Sequence, residues 1–98
     1  MEIKIKHGEE LVFALFGRLD TVTSRQLLDA FAAEEIKEDL IIVDMKELEY
    51  ISSAGLRALL AMKKEIVEKN KTFEIHNLND ICQEVFRVTG MANILTIK

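Results

Sequence analysis

The segment LIIVDM, residues 40–45, is a short apolar run rich in β-branched side chains. A run of this length and composition predicts a β-strand rather than a helix. Because it does not alternate with polar residues, it is typical of a parallel sheet in which both faces of the strand are covered. Parallel strands need crossover connections, which are usually helices. This run therefore predicts an α/β fold, with helices before and after it in the chain.

Two strands and a helix are predicted before this run. The segment MEIKIKH, residues 1–7, alternates apolar and polar side chains, so we expect a half-buried strand at a sheet edge. The segment LVFALFGRL, residues 11–19, predicts a more buried strand, and the short connection between the two favours an antiparallel hairpin. A helix follows that is expected to end in the acidic residues 34–39. Its apolar positions are Leu27, Leu28, Phe31 and Ala32, and its candidate N-cap residues are Thr21, Thr23 and Ser24.

Two further helices alternate with two strands after the run. We expect a helix from residue 53 to about residue 69, a strand at 72–76, a helix within 78–90 closed by Gly90 in a left-handed conformation, and a last strand at 94–97. The side chains expected to face the core are Leu56, Leu59, Leu60, Met62, Ile66 and Val67 in the first of these helices, and Ile81, Val85, Phe86 and Val88 in the other. The order β-β-α-β-α-β-α-β predicts one α/β domain over residues 1–98, with a mixed sheet of four or five strands and three main helices.

Composition and charge argue against several classes of function. The formal net charge is −4, whereas binding to nucleic-acid phosphates requires clustered Lys and Arg. His7, His76 and the lone Cys82 show no metal-ligand spacing, so we expect no metal and no cofactor, and Cys82 is expected to pack as a small hydrophobic residue. A single cysteine, no secretory leader and no apolar run of membrane-spanning length predict a cytoplasmic protein without membrane insertion.

Two adjacent serines precede the second helix in the segment YISSAGLR, residues 50–57. They follow a predicted strand, and ligands of open α/β sheets bind outside the carboxyl ends of the strands. One interpretation is structural, because a serine at a helix N-cap accepts a hydrogen bond from a free backbone N–H. The other is chemical: Ala54 and Gly55 leave the first turn bare, and its N–H groups and the helix dipole suit a phosphoryl group on Ser53. These residues alone leave both interpretations open.

The segment VDMKELEYISSAGLRALL, residues 43–60, resembles the phosphoacceptor segment of the anti-sigma factor antagonists, the bacterial members of the STAS domain family. The resemblance continues in GRLDTVTSRQLLDAF, residues 17–31, which is similar to the family's Gly-x-Leu-Asp segment and first helix. The segment FRVTGMANILTI, residues 86–97, is similar to the family's closing helix, Thr-Gly turn and last strand. These segments cover most of the chain in the order expected for a STAS domain.

The resemblance implies a partner-switching function. In that family, an anti-sigma factor that is also a serine protein kinase binds the unphosphorylated antagonist and so releases its sigma factor. Phosphorylation of the antagonist breaks the complex, and a protein phosphatase restores it. Aligned on Gly55 and Leu56, the acceptor falls on Ser53, while Ser52 replaces a frequent acidic residue and Ala54 replaces a Ser or Thr. The implied partner-binding residues are Asp20, Thr21, Ser52, Ser53, Ala54, Gly55, Leu56 and Arg57.

Two aspartates also match positions of the family pattern. Asp20 corresponds to an aspartate at the end of the second strand, where it would lie near the acceptor, and Asp44 corresponds to an aspartate that ends the strand before the acceptor loop. Turn and cap chemistry explains either residue equally well.

The sequence argues against two enzymatic functions and leaves one other binding function open. A serine hydrolase needs a base beside Ser53, but the segment is not Gly-x-Ser-x-Gly and neither histidine is close in sequence. No phosphate-binding Gly-x-x-x-x-Gly-Lys loop is present, so we expect a binding protein without enzymatic activity. The remaining alternative is a constitutive STAS-type subunit, either of a cytoplasmic complex attached to an ABC-type lipid transporter or of a stress-sensing scaffold. In that case Ser53 is only a helix cap.

Overall fold

Five strands and three main helices follow one another in the predicted order. The computed structural model describes all residues from 1 to 98. The strands are β1 (Glu2–Lys6), β2 (Leu11–Leu19), β3 (Leu40–Ile51), β4 (Thr72–His76) and β5 (Thr96–Ile97), and the helices are α1 (Thr21–Ala33), α2 (Ser53–Glu68) and α3 (Asp80–Val88). A short 3-10 helix, Met91–Asn93, precedes β5, and Gly90 before it has the expected left-handed conformation with φ 78°. None of the helices combines the length and apolarity needed to cross a membrane.

The strands lie side by side in chain order, from β1 to β5. β1 and β2 form the predicted antiparallel hairpin, with β1 at the edge, and all other neighbours are parallel. Right-handed crossovers that always step in the same direction place their helices on one face of the sheet. All three helices accordingly pack into one core with the strands. The predicted mixed α/β fold is confirmed.

The expectation that both faces of the central apolar run are covered holds at Ile41, Ile42 and Val43, but the two faces are covered in different ways. Ile41 and Val43 of β3 belong to the core beneath the helices, whereas alternate residues such as Ile42 point to the opposite face, where no helix packs. Ile42 is nevertheless only 5% exposed. Its neighbours in the register are Val12 on β2 and Glu74 on β4, and we attribute its burial to side chains flanking it along the sheet.

The helices bury narrower faces than their sequences suggest. α2 buries Leu56, Leu59, Met62 and Ile66 as predicted, while Val67, expected to face inward, is 51% exposed. In α3 the core-facing residues are Cys82 and Phe86, and Cys82 packs as the predicted small hydrophobic residue. Ile81 and Val88, also expected inward, are 61% and 64% exposed. The two buried residues of α3 are four positions apart and form a single stripe, and Ile81 and Val88 lie outside it.

Candidate partner-binding surface around Ser53

β3 runs directly into α2 at the serine pair. The strand continues to Ile51, well beyond the predicted end at residue 45, and α2 begins at Ser53. Leu19, the last residue of β2, is paired in the register with Ile51, and the N–H of Ser52 donates to the Leu19 carbonyl at 2.9 Å. Because β2 leads into α1 and β3 leads into α2 on the same face of the sheet, the amino ends of the two helices lie next to each other.

The two serines have different roles in the structure. Ser52 is the N-cap of α2, and its hydroxyl oxygen accepts a hydrogen bond from the Gly55 N–H at 3.3 Å. The Ser52 carbonyl accepts from the Leu56 N–H at 3.0 Å, as the first bond of the helix. Ser53 is exposed, and its hydroxyl makes no hydrogen bond within the molecule. The capping role considered for Ser53 therefore belongs to Ser52.

Gly55 is required for packing rather than for access from solvent. A Cβ at this position would lie 2.8 Å from Ile51 Cγ1, 2.9 Å from Leu19 Cγ and 2.9 Å from the Leu19 carbonyl oxygen. Its missing side chain thus allows the first turn of α2 to sit on the ends of β2 and β3. Leu56 is only 3% exposed and also faces the core. Of the predicted contact residues in this turn, Ser53, Ala54 and Arg57 reach the surface.

Asp20 caps α1, in place of the predicted Thr21, Thr23 or Ser24. Its carboxylate accepts hydrogen bonds from the N–H groups of Val22 at 3.1 Å and Thr23 at 3.0 Å. The Thr23 hydroxyl in turn accepts from the Asp20 N–H at 2.8 Å, completing a capping box. Hydrogen bonds hold the pKa of Asp20 below its ordinary value. The largest effect comes from the N–H of Thr23, followed by the Thr23 hydroxyl and then the N–H of Val22. Asp20 is therefore a fixed anion next to the Ser52–Leu19 contact.

The resemblance suggested that Asp44 ends its strand, but the structure shows that the strand continues beyond it. It lies within β3, opposite His76 of β4 in the register. Its carboxylate accepts from the side-chain amide of Asn77 at 3.0 Å and from the Lys46 N–H at 3.0 Å. These bonds give Asp44 a structural role away from the serine pair. Asp44 therefore neither forms a turn nor caps a helix, and its bond from Asn77 joins β3 to the segment after β4.

Three residues near the serine pair were missed by sequence reasoning. Val22, in the first turn of α1, is 79% exposed, and its position off the Leu27–Phe31 stripe could have revealed this. Arg18 stacks over the Tyr50 ring, with its guanidinium carbon 4.6 Å from the ring centroid. That contact depends on the register of β2 and β3, which the sequence does not specify. We call the exposed residues Thr21, Val22, Ser53 and Arg57, together with the half-buried Ala54, the Ser53 surface.

Neither histidine approaches the serines. His7 Nδ1 lies 2.8 Å from Glu38 Oε2, and its Nε2 lies 2.7 Å from Glu34 Oε1. His7 follows β1 and the two glutamates follow α1, which places this cluster at the amino ends of β2 and β3, opposite the Ser53 surface. His76 instead contacts Glu74 at 2.9 Å. No cluster of three or more His, Cys, Asp or Glu side chains is arranged to hold a metal ion. The Ser53 surface offers exposed side chains for binding but no base beside the serine.

The family model described as Mlab, STAS domain, matches residues 5–96. The chain is 24% identical over 99 residues to the anti-sigma-B factor antagonist of Listeria monocytogenes, covering 100% of this chain and 87% of that protein. It is 31% identical over 88 residues to BtrV of Bordetella bronchiseptica, named as a candidate anti-sigma factor antagonist, covering 89% of this chain and 76% of that protein.

Solved structures show the same fold. The anti-sigma factor antagonist SpoIIAA in its unphosphorylated form superposes with a TM-score of 0.83 at 19% identity, covering 99% of this chain and 88% of that one. SpoIIAA of Bacillus has also been solved in its phosphorylated form, which superposes with a TM-score of 0.71. The family match extends over almost the whole chain, and the strands and helices agree with it. The chain belongs to the STAS domain family.

Proposed function

We propose that this chain is an anti-sigma factor antagonist whose Ser53 surface binds an anti-sigma factor that is also a serine protein kinase. Phosphorylation of Ser53 switches this binding off, and removal of the phosphate by a protein phosphatase restores it. Transcription is thereby regulated in the cytoplasm through release of a sigma factor. The observation that carries the proposal is the division of roles between the serines: Ser52 caps α2, and the Ser53 hydroxyl is exposed and free.

The start of α2 is suited to a phosphoryl group on Ser53. Its first turn contains no acidic residue, so no carboxylate on the helix competes for the positive end of the helix dipole or repels the added charge. In the transfer, the Ser53 oxygen forms a bond to the terminal phosphorus of ATP, the bond to the ADP oxygen breaks, and the hydroxyl proton is lost. The kinase supplies metal, nucleotide and base, so the antagonist needs to present only an accessible hydroxyl.

Phosphorylation would weaken binding through charge and desolvation. It adds a charge of roughly −1.5 to −2 to the Ser53 surface, which also includes the exposed apolar side chain of Val22. Burying such a charge in an interface is costly unless the partner provides a matching cation. A partner fitted to the unphosphorylated surface therefore loses affinity. The relatives named as anti-sigma factor antagonists support this choice of partner.

A second candidate is the constitutive STAS-type subunit of an ABC-type lipid transporter complex or of a stress-sensing scaffold. The matching family model is described as Mlab, STAS domain. This name supports the transporter subunit as the alternative function. Residue 52 is also a serine used as a cap, rather than the acidic neighbour often found before the acceptor. Under this function the Ser53 surface binds its partner permanently and carries no phosphate.

Mass spectrometry after incubation with ATP and the co-purifying kinase tests the proposal. The tryptic peptide covering residues 47–57 contains both serines, and its fragmentation assigns the phosphate to one of them. We expect phosphate on Ser53, its loss in Ser53→Ala and its retention in Ser52→Ala. Phosphate on Ser52 alone would reassign the acceptor. Absence of phosphate from both serines, with an ABC-transporter ATPase as the co-purifying partner, would favour the constitutive subunit.

Binding measurements on the same variants test the switch. Ser53→Ala should still bind the kinase, since it adds no charge to the surface. Ser53→Asp should fold, because a carboxylate is favourable at a helix amino terminus, but it should bind the kinase at least about tenfold more weakly, as expected for an unmatched charge in an interface. Equal affinities for the two variants would argue against a charge-based switch.

A further inference from the structure

Arg57 is the one arginine of the chain without a partner inside the molecule. The sequence contains four arginines, at positions 18, 25, 57 and 87. Arg18 stacks on Tyr50 at 4.6 Å, Arg25 lies 3.7 Å from an Asp29 carboxylate oxygen, and Arg87 donates to Glu84 at 3.0 Å. Arg57 is exposed and takes part in none of the ion pairs, hydrogen bonds or cation–π contacts of the structure.

The neighbours of Arg57 on α2 explain why it is unpaired. Residues three and four positions away on a helix are the ones whose side chains meet. For Arg57 these are Ser53 and Ala54 on one side, and Leu60 and Ala61 on the other. None is acidic, and Ser53 is the only polar one. A charge added to Ser53 would therefore be the first anion on α2 within reach of this guanidinium.

We propose that Arg57 is the internal counter-ion of a phosphoryl group on Ser53 and that this pairing withdraws Arg57 from the partner. The proposal rests on the proposed function. Before phosphorylation, the free guanidinium is available to a carboxylate on the partner protein. Afterwards, Ser53 and Arg57 form an ion pair four residues apart, for which the fork of an arginine is well suited. A single modification thus adds a negative charge to the surface and also neutralises the cation that the partner recognises.

The pairing can be tested without a kinase or a partner. Phosphoserine is incorporated at position 53 during translation, and the phosphorus NMR signal is followed as a function of pH. A neighbouring cation favours the doubly ionised phosphate. We therefore expect the titration midpoint of the Arg57→Gln variant to lie about 0.3 pH unit or more above that of the unsubstituted protein, the size typical of a helix ion pair. Arg57→Lys should restore much of the difference, because it keeps the charge.

Lys64→Gln is the matched control. Lys64 is exposed on α2, and it projects in nearly the same direction as Ser53, about 16 Å farther along the helix axis. Its substitution removes the same net charge and should leave the midpoint unchanged. If Arg57→Gln shifted the midpoint of the phosphate titration no more than Lys64→Gln does, the proposal would be overturned. Failure of the proposed function would show itself elsewhere, as the absence of kinase-dependent phosphate on Ser53.

The effect on the partner is measured with the unphosphorylated protein and the co-purifying kinase. Arg57→Gln should weaken binding by about tenfold, within the range found for charge pairs at interfaces, and raising the salt concentration should reduce this difference. Lys64→Gln should bind as the unsubstituted protein does. Unchanged affinity of Arg57→Gln would contradict the part of the proposal that assigns Arg57 to the partner.

Discussion

The N–H of Ser52 donates to the carbonyl of Leu19 at 2.9 Å, and this bond ties the cap of α2 to the last residue of β2. The amino end of α2 is therefore fixed by the sheet as well as by its own capping hydrogen bond. Ser53, the next residue, begins the helix without contributing to its cap. This separation makes it possible to test Ser52, the cap, and Ser53, the proposed acceptor, independently.

Alanine substitutions at the two serine positions should affect the stability of the protein very differently. Ser52→Ala removes the hydroxyl that accepts from the Gly55 N–H, so the free energy of unfolding should fall by about 1 kcal/mol, the usual value of an N-cap. Ser53→Ala removes an exposed hydroxyl without a hydrogen bond and should change it by less than about 0.5 kcal/mol. Urea unfolding followed by circular dichroism measures both. A larger loss for Ser53→Ala than for Ser52→Ala would show that the cap is assigned to the wrong serine.

Gly55→Ala should destabilise the protein although alanine is the better helix former. The new methyl group would lie within 3.0 Å of Ile51 and Leu19, and overpacking of this kind costs about 1–3 kcal/mol. Gly8→Ala is the control, since a Cβ there meets only the Glu10 carbonyl oxygen at 3.8 Å. Urea unfolding of both variants provides the measurement. If Gly55→Ala were more stable than the unsubstituted protein, the close packing of α2 on β2 and β3 would be refuted.

The cluster of His7, Glu34 and Glu38 should make stability depend on pH. Hydrogen bonds to Glu34 and then Glu38 raise the pKa of His7 above its ordinary value of 6.5, because both ring nitrogens can donate only when the imidazole is charged. The stabilisation is therefore fully present below about pH 6.5, the pKa expected for the unfolded chain, and is lost as the pH rises through the higher pKa of the folded protein.

Glu38 sets the lower limit of the pH range in which this cluster stabilises the protein. Its burial acts to raise its pKa, but hydrogen bonds from backbone N–H groups and from His7 outweigh this effect and lower it. The contribution of Glu38 is thus lost only as the pH falls through that lowered value.

Comparison of the urea midpoints of the unsubstituted protein and His7→Gln should show a difference at pH 6 that shrinks towards pH 9. In an NMR titration of the His7 ring, Glu34→Gln should lower the midpoint. If the difference between the two urea midpoints did not change with pH, a charged His7 would be excluded.

Val22 should contribute to partner binding and not to stability. Its side chain is 79% exposed, so Val22→Ala should change the free energy of unfolding by less than about 0.5 kcal/mol. If the Ser53 surface is the interface, the same change should weaken binding of the co-purifying kinase by about fivefold or more, as loss of a central apolar contact does. Val88→Ala, on α3 at 64% exposure, is the matched control and should bind normally. Equal effects at the two positions would place the interface elsewhere.

The order and type of the elements could be predicted because each has a clear period or turn signal. The boundaries of β2 and β4 match the predicted segments, since β2 is almost entirely apolar and β4 alternates polar and buried apolar residues. β3 was underestimated, because the charged residues of its second half, such as Glu47 and Glu49, are exposed within the strand. Charge alone therefore does not mark the end of an extended strand.

The junction between a strand and a helix at the serine pair was predictable, while the acceptor role of Ser53 stays a prediction. The resemblance located this junction, but it could not distinguish Ser52 from Ser53 as the cap. That distinction depends on which backbone residue is the last to remain extended, and here it is Ser52. The position of Asp20 as a cap and the pairing of Arg18 with Tyr50 depend on helix start and strand register, which arise only when the elements pack together.

The chain-order arrangement of the sheet has a consequence for how the protein is made. Every strand pairs with the strand that precedes it or follows it in sequence, so the sheet can grow in the order in which the chain is made. The parallel pairings nevertheless join residues far apart in the chain, such as Leu11 and Ile41, and pairings of this kind slow folding. During synthesis, each strand that leaves the ribosome can add to the edge of the sheet already formed, and the contact between Leu19 and Ser52 can close before β4, α3 and β5 have been translated.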